Sequence, residues 1–194
     1  MKKIGLTGVM GAGKSSVIAI LKEEGVTVLD CDRINDELLE QGREGYTALV
    51  AEFSENILDD AGVIDRRKMS DLVFCNPINK KKAEAILHPL IQAEIMRQMQ
   101  EHKEEDLVVA EVPLLFEVHW EFFFDEVWVI ACEEELLLQR LQQQRHVSLT
   151  EAKRRLAAQL PQEQKIQMAD VVIYNNSDKN ALKKQMDAIL NIEK

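Results

Sequence analysis

Short apolar runs recur along the chain, separated by longer segments in which apolar residues follow a helical spacing. Five runs have the length and β-branched content of buried strands, and they cover residues 2–7, 26–30, 107–112, 127–132 and 171–174. Strands that are apolar throughout have both faces covered, which is typical of parallel sheets. The alternation of strands with helical segments predicts an α/β fold whose five-stranded parallel sheet is flanked by helices.

The helical segments differ greatly in length. The first is predicted over residues 15–24, where an amphipathic stretch stops at Gly25, a residue type common just after helices. Residues 33–104 contain no convincing strand, and their apolar positions follow helical periodicity. Because this segment is longer than a crossover helix needs, we predict a helical insertion that forms a substrate-binding lobe.

Composition places the chain among ordinary globular proteins. Its 194 residues, of which 46% are hydrophobic and 30% charged, suit one domain over residues 1–194 with its own core. No run approaches the roughly 20 apolar residues of a membrane span, and the N-terminus lacks the apolar region of a signal peptide. Three widely spaced cysteines without a CxxC pair indicate free thiols in a reducing cytoplasm.

The overall charge restricts the partners. A net charge of −10 argues against nucleic acid and anionic membranes, which the average field of the protein would repel. A small anionic substrate would therefore need a local exception to that field. The acidic surface does not determine association, and either a monomer or a small homo-oligomer is expected.

A glycine-rich turn joins the first predicted strand to the first predicted helix. Residues 8–15 read GVMGAGKS and match the pattern GxxxxGK[ST], in the strand-to-helix context that this phosphate-binding loop, the P-loop, requires. Main-chain amides and the helix N-terminus would cradle phosphate, Lys14 would reach the β- and γ-phosphates, and the Ser15 hydroxyl would hold Mg²⁺. The predicted ATP-binding residues here are Gly11, Ala12, Gly13, Lys14, Ser15 and Ser16. The loop alone does not distinguish a kinase, a GTPase, an ATPase motor and a nucleotide-sensing module.

A cluster of basic residues in the C-terminal third of the chain is a local exception to the negative charge of the whole protein. Residues 140–165 contain six Lys or Arg residues against two acids in a chain of net charge −10. We predict a small helical lid over residues 139–165, because arginines that close over a nucleotide neutralise charge on the transferred phosphoryl group. Arg140 and Arg145 are the predicted phosphate contacts. A solvated helix face is the alternative, favoured for Lys153 and Arg154 and open for Arg155.

Several further motifs occur in order along the chain. They are Leu6-Thr7-Gly8, Val28 to Asp32, Ile64 to Lys68 followed by Val73-Phe74, Ile86 to Ile91, Val112 to Glu117, and Ala169 to Ile173 with Asn175. Together they resemble the dephospho-CoA kinase family, P-loop kinases of coenzyme A biosynthesis. The resemblance implies a P-loop NTPase fold and Mg²⁺-dependent transfer of the ATP γ-phosphoryl group to the ribose 3′-hydroxyl of dephospho-CoA, giving CoA and ADP.

The resemblance also implies site residues. Asp32 matches the proposed catalytic base, a role that suits a carboxylate facing a ribose hydroxyl. Its alternative is a helix N-cap, although Asp30 is the better candidate for a purely structural role. His88 matches a His-Pro step in the CoA-binding lobe, where it would bind the acceptor, and a structural histidine is the alternative. Asn175 lies where related kinases place adenine. Glu111, one methylene longer, replaces the family's usual Asp as the second metal-site residue, and either carboxylate can hold the Mg²⁺ shell through water.

Two rival functions stay open at this stage. A nucleoside or nucleotide kinase could share the core and differ in its acceptor lobe. A non-catalytic nucleotide-sensing module would bind nucleotide without transferring phosphate. The chain lacks an evident guanine-reading NKxD motif, and Asp32 with the basic cluster provides groups suited to chemistry.

Overall fold

The structure is a computed structural model, and it describes residues 1–74, 76–145 and 148–192. The strands are β1 Lys2–Thr7, β2 Thr27–Asp30, β3 Leu107–Glu111, β4 Glu126–Ala131 and β5 Val171–Tyr174. The helices are α1 Lys14–Glu23, α2 Cys31–Leu38, α3 Glu44–Phe53, α4 Arg66–Phe74, α5 Pro77–Glu101, α6 Glu134–Arg145, α7 Leu149–Ala157, α8 Gln162–Gln167 and α9 Lys179–Ile192. The chain divides into two compact units, Met1–Leu29 with His102–Lys194, and Asp30–Glu101.

The strands form one parallel sheet in the order β2-β3-β1-β4-β5. β1 pairs with β3 from Lys2 opposite Leu107, and it pairs with β4 on its other side. The predicted five-stranded parallel sheet is confirmed. The second strand starts one residue later than predicted, because the Val26 N–H donates to the Leu21 carbonyl at 2.9 Å and so completes the end of α1.

Helices bury the sheet of the first unit. Ile4, Leu6 and Trp128 of the central strands have no exposed surface, and they share one apolar cluster with residues of α1 and α9. Burying a large apolar side chain contributes about 1.5–3 kcal/mol, so this cluster supplies much of the force that holds β1 in place. The loop that follows β1 is thereby attached to a rigid support.

The second unit is helical, as the periodicity predicted. Within the described residues of 31–101, the only strand-like pairing is an isolated antiparallel bridge between Leu58 and Ile64. Leu49 and Ile57 are completely buried in a separate apolar cluster. This unit therefore has a core of its own, while its role in acceptor binding stays a prediction.

The cysteines and the helices agree with what the composition predicts for an ordinary globular protein. Cys31 and Cys132 are buried cysteines, whereas Cys75 lies outside the described residues. In the described ranges, none of the helices combines the length and the apolar character that crossing a membrane would require.

Candidate active site

The glycine-rich loop leaves the carboxyl end of β1 and enters α1 at Lys14. Gly13 occupies the N-cap position of α1 with φ 96°, a left-handed conformation that glycine adopts readily. The Ala12 N–H donates to the Val9 carbonyl at 3.2 Å and closes a turn inside the loop. The Lys14 ammonium donates to the Gly8 carbonyl at 2.9 Å, so it lies at the first half of the loop. The loop thus has the curled backbone and the helix N-terminus that bind phosphate.

A wall of two polar side chains, Asn175 and Arg140, contacts this loop at Ala12. The Asn175 side chain is 6% exposed, and its Nδ2 donates to the Ala12 carbonyl at 2.9 Å. Arg140 donates to the same carbonyl at 3.4 Å and to the Asn175 carbonyl at 3.0 Å. Arg140 also lies 3.4 Å from the Cys132 sulfur. The structure therefore brings Arg140 and Asn175 together against the loop, and their contacts with phosphate and adenine stay predictions.

Gly13 lies too close to this wall to accept a side chain. A Cβ at this position would overlap Asn175 Nδ2, in addition to requiring the left-handed backbone. We expect Gly13→Ala to weaken ATP binding at least about tenfold, since a displaced loop no longer presents its amides together. Isothermal titration calorimetry with ATP measures this effect.

Gly25→Ala is the matched control for that substitution. Gly25 also has a left-handed backbone, at φ 79°, but a Cβ there meets nothing within 4 Å. Gly25→Ala should lower the free energy of unfolding by about 1–2 kcal/mol through backbone strain alone. Its ATP affinity should equal that of the wild type. Equal ATP affinities for the two alanine variants would show that the overlap with Asn175 does not matter.

The basic cluster of 140–165 has fewer unpaired charges than its sequence suggests. Arg154 and Arg155 both pair with Glu151, with nitrogen–oxygen distances of 2.8 and 2.6 Å. The hydrogen bond from Arg154, followed in size of effect by the one from Arg155, lowers the pKa of Glu151 to about 2. This acid is therefore ionised at neutral pH. The Arg145 side chain lies outside the described residues. Its predicted phosphate contact, like the lid over 139–165, stays a prediction.

Lys165 differs from the other cations of the cluster because it is completely buried. Its ammonium lies 2.8 Å from each Glu117 oxygen and 5.9 Å from the centre of the Phe116 ring. Glu117 also accepts the Leu160 N–H at 2.9 Å. Counting Lys165 with a phosphate-facing lid is therefore wrong: it joins α8 to the loop after β3.

The two residues predicted to hold metal lie at the end of β3 and in the first turn of α1. Glu111 ends β3 and is in register with Leu6, two residues before Gly8. Ser15 is exposed in the first turn of α1. Among the described residues, no three His, Cys, Asp or Glu side chains form a metal-binding group. A hydroxyl and a carboxylate nevertheless fit Mg²⁺, which prefers oxygen ligands and takes the rest of its shell from water and phosphates.

The helical unit shows which aspartate caps α2. Asp30 is the N-cap, and its carboxylate accepts the Arg33 N–H at 3.0 Å. The capping alternative for Asp32 is therefore wrong, since Asp32 lies exposed in the first turn of the helix. His88 is half-buried in α5, and burial lowers its pKa although Glu84 opposes the shift. A neutral imidazole at pH 7 can either donate or accept a hydrogen bond.

A comparison with protein families now decides the family. A family model described as "Dephospho-CoA kinase" matches residues 2–181. The chain belongs to the dephospho-CoA kinase family. Dephospho-CoA kinase from Carboxydothermus hydrogenoformans is 38% identical over 189 residues, 96% of this chain and 92% of that protein. The protein of the same name from Staphylococcus aureus is 37% identical over 193 residues, 99% of this chain and 93% of that protein.

Solved structures agree with this assignment. A Thermus thermophilus structure matches with a TM-score of 0.85 at 33% identity, covering 98% of this chain and 96% of that one. Dephospho-CoA kinase from Campylobacter jejuni matches with a TM-score of 0.74 at 31% identity and the same coverage. Shikimate kinase from Acinetobacter baumannii, at 0.55 and 18% identity over 98% of this chain and 94% of its own, shares the fold alone. The predicted family and P-loop kinase fold are confirmed, and the chain is an enzyme of the kinase class.

The sequence did not reveal two groups that the structure brings to this site. Gln159 accepts the Met10 N–H of the phosphate-binding loop at 2.9 Å, and Glu117 binds Lys165. Glu117 ends the run Val112 to Glu117, which resembles a family motif. The sequence therefore marked this position, but it did not identify Lys165 as the partner of Glu117. A glutamine in a polar segment provides no comparable signal.

Proposed function

We propose that this member of the dephospho-CoA kinase family transfers the γ-phosphoryl group of ATP to the ribose 3′-hydroxyl of dephospho-CoA. The products are CoA and ADP, and the reaction completes coenzyme A biosynthesis. The observation that carries the proposal is the family match over residues 2–181, which includes both the phosphate-binding loop and the helical unit. A donor site alone would fit many kinases.

The donor half of the mechanism uses the loop and the first turn of α1. Amides of residues 11–16 bind the phosphates at the helix N-terminus, where the helix dipole favours negative charge. When ATP binds, the Lys14 ammonium leaves the Gly8 carbonyl and binds oxygens of the β- and γ-phosphates. A hydrogen bond from an ammonium to a charged phosphate oxygen is stronger than one to a neutral carbonyl. Ser15 and Glu111 would hold Mg²⁺, and the bound ion would neutralise phosphate charge.

The acceptor half uses the helical unit. Asp32 follows β2 at the carboxyl edge of the parallel sheet, the edge at which ligands bind in folds of this type. As a carboxylate it orients the 3′-hydroxyl of the acceptor and takes its proton while the oxygen attacks phosphorus. His88 binds the acceptor through its neutral imidazole, which its lowered pKa maintains at pH 7.

The groups around the nucleotide complete the site. Asn175 lies beside the base, where its main-chain atoms contribute as much as its side chain. Arg140 and Arg145 contact phosphate and stabilise the charge that develops during transfer. We place the enzyme in the cytoplasm, as a monomer or a small homo-oligomer.

An acceptor panel tests this function. ADP release is followed by a coupled assay with Mg-ATP and dephospho-CoA, a nucleoside, a nucleoside monophosphate or shikimate. We expect dephospho-CoA to give the highest kcat/KM by at least about 100-fold, a preference of roughly 2.7 kcal/mol in transition-state binding. A nucleoside or nucleotide that was preferred over dephospho-CoA would refute the assignment.

A further inference from the structure

Gln159 contacts the phosphate-binding loop from the segment between α7 and α8. Its Oε1 accepts the Met10 N–H at 2.9 Å, although the two residues are 149 positions apart in the chain. Because a main-chain N–H is always a donor, the side-chain atom that faces it has to be the oxygen of the carboxamide. That contact fixes the orientation of the amide group, and Nε2 is left beside the loop.

The Nε2 group of Gln159 carries two protons that it can donate. None of the hydrogen bonds among the described residues involves Gln159 Nε2, and the residue is partly exposed. An amide donor next to an anion-binding loop is suited to a phosphate oxygen. The Gln159 carboxamide can thus bind the loop with one atom and a nucleotide with the other.

The position of Lys14 indicates which phosphate lies nearby. In loops of this pattern the lysine reaches the β- and γ-phosphates. Here its ammonium is 2.9 Å from the Gly8 carbonyl, and Gln159 binds the loop only two residues further on, at Met10. The cation and the carboxamide therefore approach the same first half of the loop, whereas the amides of α1 lie at its other end.

The segment that carries Gln159 is held on its C-terminal side. Glu117 accepts the Leu160 N–H at 2.9 Å. Gln162 binds both main-chain groups of Cys132, accepting at 3.0 Å and donating at 2.9 Å. These contacts fix Gln159 before any ligand arrives, and preorganised donors lose little entropy on binding.

We propose that Gln159 is a γ-phosphate-binding residue that lets the enzyme distinguish ATP from ADP. Its Nε2 donates to an oxygen of the terminal phosphoryl group while its Oε1 stays on the Met10 amide. ADP lacks that group, so Gln159 adds little to its affinity. The proposal rests on the proposed function to the extent that the loop has to hold ATP.

Gln159→Glu separates the two halves of this contact. A glutamate keeps an oxygen for the Met10 N–H, but it replaces the donor with a negative charge facing the γ-phosphate. Calorimetric titration of the whole chain with Mg-ATP and with Mg-ADP, without acceptor, should show ATP affinity falling at least about tenfold. ADP affinity should change less than about twofold, because the β-phosphate is held by the α1 amides.

Two further variants control for charge and for folding. Gln159→Met removes the donor without adding charge, so its preference for ATP over ADP should lie between wild type and Gln159→Glu. Gln164→Glu makes the same charge change on the exposed side of α8 and should leave both affinities unaltered. A preference for ATP that is equal in wild type, Gln159→Met and Gln159→Glu would overturn the proposal, and would leave Gln159 as a brace of the loop. A wild-type chain that bound neither nucleotide would overturn the proposed function as well.

Discussion

Asp32→Asn is expected to abolish most of the turnover while ATP binding stays close to that of the wild type. Asparagine has nearly the shape of aspartate, but its amide cannot take the proton of the attacking hydroxyl. General-base catalysis contributes about 10²–10⁴-fold, so kcat with dephospho-CoA should fall by that factor. Steady-state kinetics and ATP titration of the same preparation measure the two quantities.

Asp30→Asn is the matched control, two residues earlier in the chain. Asp30 caps α2 through the Arg33 N–H, and asparagine caps helices as well as aspartate does. This variant should keep its stability and most of its turnover. If Asp32→Asn kept full activity, or lost ATP affinity as severely as turnover, Asp32 would not be the base.

Lys165→Met should cause the largest loss of stability among the substitutions considered. Methionine retains most of the apolar packing of the lysine stem but leaves Glu117 without its buried cation. Breaking a fully buried pair costs about 3–5 kcal/mol, and Glu117 is 20% exposed, so we expect about 2–4 kcal/mol here. For a chain of this size the melting temperature should fall by about 5–10 °C in thermal denaturation.

Lys183→Met applies the same substitution to an exposed pair. The Lys183 ammonium lies 2.6 Å from Glu24, but the side chains are 40% and 34% exposed. Solvent screens such a pair and each side chain loses entropy in forming it, so the melting temperature should change by no more than about 3 °C. Similar melting temperatures for the two variants would show that the Lys165–Glu117 pair does not stabilise the fold.

Local signals were sufficient for the sheet and for the phosphate-binding loop. Strands that are buried on both faces appear as apolar runs, and the loop is a contiguous pattern between a strand and a helix. The error at the start of β2 was one residue, because Val26 is apolar whether it pairs in the sheet or ends α1 with its bond to Leu21. The hydrophobic pattern indicates which residues are buried, but it does not indicate which hydrogen bonds their main-chain groups make.

The partners of polar residues were the part that the sequence could not supply. Lys165 was grouped with the predicted lid because its partner, Glu117, is 48 residues away. Gln159 was missed because its partner is 149 residues away. Two aspartates, Asp30 and Asp32, lie near the start of α2. Because the structure shows that the helix begins at Cys31, Asp30 is the cap. Such pairings depend on the closed fold, which local periodicity does not encode.

These polar pairings also connect stability with function. The Lys165–Glu117 pair attaches α8 to the loop after β3, and Gln162 attaches it to Cys132 just after β4. Gln159 attaches the preceding segment to the phosphate-binding loop. Asn175 and Arg140 hold the loop at the Ala12 carbonyl. The loop is therefore braced at both Met10 and Ala12, which orients its amides before phosphate binds.

The product of the reaction tests the central claim most directly. The purified chain is incubated with Mg-ATP and dephospho-CoA, and the product is examined by mass spectrometry and by ³¹P NMR. A gain of one phosphoryl group on the ribose 3′-oxygen, with one ADP formed per product and no transfer to the analogue that lacks the 3′-hydroxyl, is the expected result. Unmodified dephospho-CoA, or phosphate on any other atom of it, would contradict the account.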